Sequence, residues 1–412
     1  MNSKCEYDVA VAGGGIAGVA AAIQAARSGA RTVLIEKTIL WGGLATSGLI
    51  NVYLPLCDGN GKQVSFGITE ELLRASLKYG PGDIPENWQN EKNGQERKRF
   101  ISVFQPAAFV LSMDEMLQEA GVDVWLDSVV CAAVTENNRI TALEIENESG
   151  RIRLSAKQFI DASGSAVLAR RLNMPLETTA NYLSTWVLQF KDGSFDMNYG
   201  AVYGDGNPTQ IFSDELLETV GLSQKKLSEL EFHGISGRQV TQYIMESRRY
   251  MRAYYQYHYE KGLGDRKSLY PVKLPIMAQY RKICAIHAKT VMRDGEDWMQ
   301  VPDSIGLVAD WRRAGSVWEV PYSSLYSEEG PENLLFAGRC MGAVGDAWEV
   351  MRVIPSAAVT GQAAGLAAAL AVQQNNISPR VLEYGDLKNE LYKMNIPLHF
   401  SELPLTVPED KK

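Results

Sequence analysis

Short β-branched apolar runs alternate with helical patterns at both ends of this chain, and the middle breaks that rhythm. Tyr7–Ala12 is an apolar run that stops at three glycines, and an alanine-rich stretch with helical spacing follows, ending near Ser28 and Gly29. Residues 31–36, Arg-Thr-Val-Leu-Ile-Glu, are a second such run. Strand, turn, helix and strand at this spacing make a βαβ unit, so a parallel sheet begins at the N-terminus. Residues 80–99 are rich in Gly, Pro, Asn and charge and read as an exposed loop. Residues 106–121 have helical periodicity. Short strands are predicted at 122–126, 129–134, 140–146 and 151–154, a helix leading into a β-meander. Residues 158–161 form a further predicted strand, halted by Ala162, Ser163 and Gly164.

From about 181 to 303 the pattern changes to an aromatic-rich strand at 183–190 and long amphipathic helices over 213–262. No glycine-rich nucleotide turn occurs there, and the run from Gly200 to 206 follows no convincing strand. Residues 277–286 look strand-like. The sheet pattern returns at 333–338, before a small-residue helix and a short amphipathic tail. A chain of 412 residues suits two domains. We expect a discontinuous first domain (1–180 and 304–385), a substrate or cap domain (181–303) and a C-terminal tail (386–412).

The chemistry enters at Gly13-Gly14-Gly15-Ile16-Ala17-Gly18, a GxGxxG directly after a strand and opening a helix, with Glu36 and Lys37 ending the next strand. In such a turn Gly13 permits the tight bend, Gly15 lets backbone approach a pyrophosphate, and Gly18 allows helix and strand to pack closely. The first-turn N–H groups face the anion, and Glu36 accepts from ribose hydroxyls. The whole βαβ context predicts a dinucleotide, and both NAD and FAD satisfy it.

Composition narrows the partners. With 45% hydrophobic and 22% charged residues the chain is of ordinary globular type, and a net charge of -8 argues against a nucleic-acid surface. Residues 353–379 carry no charge, but their Ala, Gly, Gln and Asn content predicts a buried small-residue helix, not membrane insertion. Five cysteines, Cys5, Cys57, Cys131, Cys284 and Cys340, lie far apart without CxxC or metal-ligand spacing. They read as reduced thiols in a cytoplasmic protein without a disulfide-reductase cysteine pair. Residues 1–7 contain no apolar stretch to act as a signal peptide. His233, His258, His287 and His399 have no metal-ligand spacing, so no metal is expected.

The C-terminal run Asn333-Leu334-Leu335-Phe336-Ala337-Gly338-Arg339, then Arg352-Val353-Ile354-Pro355 and a helix through Ala369, resembles the closing flavin segment of FAD-dependent oxidoreductases. Three further stretches fit: Trp41 with Gly42, Gly43, Leu44, Ala45 and Thr46; Asp161 with Ala162, Ser163 and Gly164; and the run Trp318-Glu319-Val320-Pro321-Tyr322. The chain thus resembles bacterial FAD-dependent oxidoreductases of the glutathione-reductase-like superfamily, related to fumarate reductase flavoprotein subunits. That resemblance implies an α/β fold: an FAD/NAD(P)-binding Rossmann-like domain, with a parallel sheet plus β-meander, and a second α+β substrate domain. It also implies that residues 42–46 line the ribityl and isoalloxazine side. Val130 and residues 162–164 would line the adenosine side, and residues 338–340 the ribityl chain, with Val353, Ile354 and Ala357 in the cofactor set. Many superfamily members carry Asp where Arg339 stands, which changes the local charge. No His lies near Gly42 or Gly43 for covalent attachment, so non-covalent FAD is expected.

Pro355 suits a first helical turn and leaves neighbouring N–H groups free to meet negative charge. Reduced flavin is anionic near N1 and the C2 carbonyl, so that helix start with Arg352 beside it would favour hydride acceptance. Pairing of Arg352 with Glu349 or Asp346 is the structural alternative. By the resemblance, Arg281 would bind an anionic substrate; a surface salt bridge is the alternative. Five tyrosines between Tyr250 and Tyr259, interleaved with basic residues, could form a stacking platform or the packed face of an amphipathic helix. The expected function is hydride transfer between a small molecule and FAD, with electrons passed to a separate acceptor because a second nucleotide fingerprint is lacking. Alternatives are an NAD-dependent dehydrogenase and a flavoprotein with a non-redox or RNA-modifying role.

Overall fold

The computed structural model describes residues 6–90, 99–201, 214–221, 223, 225–226 and 229–411. Cys5, positions 91–98 of the expected loop and positions 202–206 of the glycine run lie outside the described residues. The chain divides into two compact units: Met1–Thr46, Asn51–Glu177 and Cys284–Lys412 make the first, and Ser47–Ile50 and Thr178–Ile283 the second.

In the first unit the strand Tyr7–Ala12 lies between two parallel neighbours, Thr32–Ile35 and Gly150–Asp161. The sheet continues from Thr32–Ile35 to Asp123–Trp125, and from Gly150–Asp161 through Arg139–Asn147 to Val129–Glu136. Residues 151–154 and 158–161, predicted as separate strands, are one strand. Ser155-Ala156-Lys157 between them holds no Gly or Pro to break the extended backbone. Its first half pairs antiparallel with Arg139–Asn147. Its second half runs parallel between Tyr7–Ala12 and Leu334–Phe336. One strand therefore belongs to both meander and parallel sheet, and brings the C-terminal segment beside the N-terminal one.

The helix Ile16–Arg27 buries every residue from Ile16 to Ala25. Its outer partner is the helix Ile354–Gln373, long and apolar enough to cross a membrane by length and composition, yet 89% buried within the fold. The two backbones touch. A Cβ on Gly361 would overlap the carbonyl oxygen of Ala17, and one on Gly365 that of Ala21. Small residues one helical turn apart on both helices permit this approach.

Two expected boundaries move. Residues 284–303 belong with the first unit: Cys284–Ile286 is fully buried, and Met292 exchanges backbone hydrogen bonds with Gly342 and Val344. The expected tail is also built in, because Tyr384–Lys393 buries Leu387 and Leu391 in the main core.

The second unit is a three-stranded antiparallel sheet, ordered Ser194–Ala201, Ser184–Lys191 and Leu269–Lys273, with the helix Gly237–Glu260. Ser236 caps this helix by accepting from Gln239 N–H. Its tyrosines pack: Tyr243, Tyr250 and Tyr255 are buried, Tyr255 Oη donates to Gln189 Oε1 (3.1 Å), and Tyr259 Oη to the Leu269 carbonyl (2.6 Å). Arg281 is not in a strand. The N–H groups of Arg281 and Lys282 both donate to Asn181 Oδ1 (3.0 and 3.1 Å), so a side chain takes bonds that a ladder would need.

Candidate dinucleotide site

The fingerprint forms at the end of Tyr7–Ala12, where Gly13 turns the chain at φ +102. A Cβ there would lie 2.5 Å from Ser163 Cα, so the glycine also lets the loop 162–164 close on the turn. Ala162 N–H donates to the Ala12 carbonyl (2.9 Å), holding that loop in place. Ile16, Ala17 and Gly18 begin the helix and are buried.

Gly15, the N-cap, is different in kind. A Cβ added there meets nothing nearer than the Ala162 carbonyl oxygen at 4.0 Å, so internal packing does not demand a glycine. The helix start beside it has no side-chain cap and no acidic residue in its first turn. A bare backbone next to an uncapped helix N-terminus fits a pyrophosphate. Glu36, 7% exposed, accepts from Gly14 N–H through Oε2 (2.7 Å) and from Thr38 N–H through Oε1 (2.9 Å). A carboxylate has about four acceptor positions, so these bonds orient Glu36 while leaving capacity for ribose hydroxyls. Ser128 N–H donates to the Glu36 carbonyl (3.0 Å), which sets Val130, 8% exposed, two residues along from this corner. Lys37 points to solvent.

The segment 42–46 joins the fingerprint directly, since Gly42 N–H donates to the Gly14 carbonyl (2.8 Å). Gly43 sits against Gly15, and Leu44 is half-buried. Ala45 and Thr46 are buried, with Thr46 Oγ1 bonded to the Trp41 carbonyl, so Thr46 braces the segment from inside. Trp41 lies under Gly14 and donates through Nε1 to Asp114 (2.7 Å).

The C-terminal half arrives through Gly338, at φ +69, where a Cβ would stand 2.9 Å from the Ala17 Cβ and 3.9 Å from that of Ala357. Its N–H donates to Thr360 Oγ1 (3.0 Å). Gly338 therefore touches both long helices near their N-termini. The helix Ile354–Gln373 has Val353 as N-cap, Pro355 in its first turn, and neither an acidic first-turn residue nor a side-chain cap. Two uncapped helix starts thus converge on one glycine.

Two of the charged groups here, Arg339 and Asp161, are buried. Arg339 is 9% exposed and donates through Nε to the Gly164 carbonyl (2.6 Å), while Trp348 Nε1 donates to the Arg339 carbonyl (2.7 Å). Burial pushes its guanidinium down to about 10, which leaves it charged at neutral pH. Asp161 is fully buried and burial pushes its carboxyl up, although Ser163 N–H, Ser163 Oγ and Leu168 N–H all donate to it. Arg352 donates through Nε to Glu349 Oε2 (2.7 Å) and forms an ion pair with it (2.6 Å), one residue before the N-cap of the closing helix. Burial also raises the Cys284 thiol to about 12 and the Cys340 thiol further, so neither is a nucleophile at neutral pH. Among the described residues no group of three or more His, Cys, Asp or Glu is placed to hold a metal.

The fold brings residues 13–18, 36, 42–46, 162–164, 338–339 and the 353–357 helix start together within the first unit, whereas Arg281 belongs to the second. Sequence reasoning missed Thr360, Gly361, Gly365 and Trp348. The small residues at 17, 21, 361 and 365 were the available signal for the helix contact.

Comparison with known proteins identifies the family. Residues 8–268 and 296–391 match the family described as FAD dependent oxidoreductase. The digeranylgeranylglycerophospholipid reductase of Thermoplasma volcanium is 30% identical over 172 residues, 38% of this chain and 39% of that protein. The thioredoxin reductase of Ureaplasma parvum is 26% identical over 160 residues, 38% of this chain and 44% of that protein. The chain spans about two fifths of the length of the curated relatives it matches. Among solved structures, a geranylgeranyl bacteriochlorophyll reductase-like protein from Thermoplasma acidophilum covers 95% of this chain and 84% of its own, at 18% identity and TM-score 0.48. The fingerprint alone left NAD and FAD open; the family match selects FAD, and the chain belongs to the FAD-dependent oxidoreductase family.

Proposed function

We propose that this oxidoreductase holds FAD non-covalently in its first unit, oxidises or reduces a small molecule there by hydride transfer, and exchanges electrons with a separate acceptor. The observation that carries this reading is the convergence of two uncapped helix N-termini on Gly338, one following a fingerprint whose Gly15 keeps its backbone bare. When bound, FAD supplies the two-electron centre, and its pyrimidine ring gains negative charge on reduction.

In this reading the first-turn N–H groups of Ile16–Arg27 meet the pyrophosphate, and Gly13 and Gly18 keep that helix tight on the sheet. Glu36, pre-oriented by Gly14 and Thr38, accepts from ribose hydroxyls, and Val130 and residues 162–164 flank the adenosine. Residues 42–46 and 338–339 flank the ribityl chain. The start of Ile354–Gln373, at Val353, Ile354 and Ala357, offers N–H groups where charge accumulates, and Arg352 adds a cation one residue away. The Arg352–Glu349 pair holds that guanidinium in place. Residues 37–50 contain no His, Cys or Tyr, which fits non-covalent binding. Arg281 is assigned to anion binding in the second unit. The free thiols among the described cysteines fit a reducing cytoplasm.

The direct test is the absorption spectrum of the purified protein before and after anaerobic dithionite, repeated after acid precipitation. Bands near about 370 and 450 nm that bleach, with colour released into the supernatant, support redox-active non-covalent FAD. A colourless protein that takes up no added FAD, or colour that stays in the pellet, overturns the reading.

A further inference from the structure

The second unit contains a cleft of about 440 Å³ between the open edge of its sheet and the C-terminal turns of Gly237–Glu260. Its floor is Gln189, 1% exposed, on the helix-facing side of the central strand. Gln189 Oε1 accepts from Asn198 Nδ2 (3.2 Å) and from Tyr255 Oη (3.1 Å), while its Nε2 donates to Asp196 Oδ2 (3.4 Å). Two amides and a carboxylate are thus tied into one row, with Asp196 exposed at the mouth.

The aromatic wall is joined to this row, because the Tyr254 hydroxyl bonds with Gln189 and Asn198. The Tyr254 and His258 rings lie 4.1 Å apart, and both are half-buried. His258 Nδ1 stands 2.8 Å from the Tyr254 carbonyl, which can only accept, so Nδ1 donates this bond. The cleft therefore offers mixed donors and acceptors on one side and ring faces on the other. Among the described residues its charged lining is one Asp196 and one Lys191, with no cluster of cations for a phosphate. Its lining is too polar for an acyl chain.

The geometry points to a binding site for a neutral polyhydroxylated ligand, a glycosyl unit whose hydroxyls meet the Gln189, Asn198 and Asp196 row while its C–H face lies on Tyr254. The volume is in the range of small-molecule sites. This inference does not depend on the FAD reading.

The test is saturation-transfer NMR on the full-length protein with the methyl glycosides of glucose, galactose, mannose and xylose and with N-acetylglucosamine. Glucose 6-phosphate and octanoate serve as charged and lipid-like probes. At least one neutral sugar is expected to receive magnetisation, with affinity at least tenfold weaker in Asp196→Ala and in Asn198→Ala at unchanged flavin absorbance and circular dichroism. Transfer to no neutral sugar, transfer only to octanoate or the phosphate, or unchanged affinity in both variants overturns the proposal. Because flavin content is read separately, failure here is distinguishable from failure of FAD binding.

Discussion

Two long helices in this protein are specified in opposite ways. Ile354–Gln373 carries no charge, buries nearly all of its surface, and meets its neighbour backbone to backbone through Gly361 and Gly365. Gly237–Glu260 is polar on average, buries one face, and is held by side chains: Tyr243 lies 4.5 Å from Tyr280 and 5.2 Å from Phe232, and Tyr255 reaches Gln189. At Gly361 and Gly365 the first tolerates no added atom. The second rests on bonds that can be removed one at a time.

The largest expected effect follows from that contrast. Gly361→Val places atoms into the Ala17 carbonyl, where backbone lies on both sides and neither can retreat. A loss of about 3 kcal/mol or more is expected in urea unfolding, together with loss of bound FAD. A variant as stable as the parent would break the comparison.

Gly15→Ala sharpens it from the other direction. The added methyl makes only an ordinary contact with the Ala162 carbonyl oxygen at 4.0 Å, so the melting temperature of the FAD-free protein should hold, while FAD affinity falls by about 100-fold, or roughly 2.7 kcal/mol. Titration followed by flavin fluorescence reads this, and unchanged affinity would mean that Gly15 does not face the cofactor.

Next is Arg352→Gln, which removes a cation at the closing helix start. The two-electron potential should fall by about 30 mV, equivalent to about 1.4 kcal/mol, and Arg352→Lys should recover part of it. An unchanged potential would leave the arginine only its bond to Glu349.

The smallest effect is in the second unit. Tyr255→Phe deletes one hydrogen bond to Gln189 and should cost about 1 kcal/mol in urea unfolding, with the flavin spectrum unaltered.

The same contrast explains what could be read from the sequence. Backbone demands leave glycines at fixed spacing, so the turn at 13–18, Glu36 at the strand end and the segments at 42–46 and 338 were legible. The helix-to-helix contact left only a spacing of small residues, which signals nothing until its partner is known. Side-chain networks were less legible still. The Asn181 amide that takes the backbone bonds of Arg281 and Lys282 lies about 100 residues away, so residues 277–286 looked like a strand. Continuity of Gly150–Asp161 was hidden because its two halves serve different neighbours.

The docking of Gly361 and Gly365 on Ala17 and Ala21 also sets a schedule. During synthesis the alanine face of the first helix is made well before its cover, which begins only at Ile354. Until then a strip of apolar surface waits unshielded, a ready target for chaperones. Any messenger truncated before residue 354 yields a product whose first helix is never covered. Assembly of the dinucleotide site thus waits until residues 354–373 have been made.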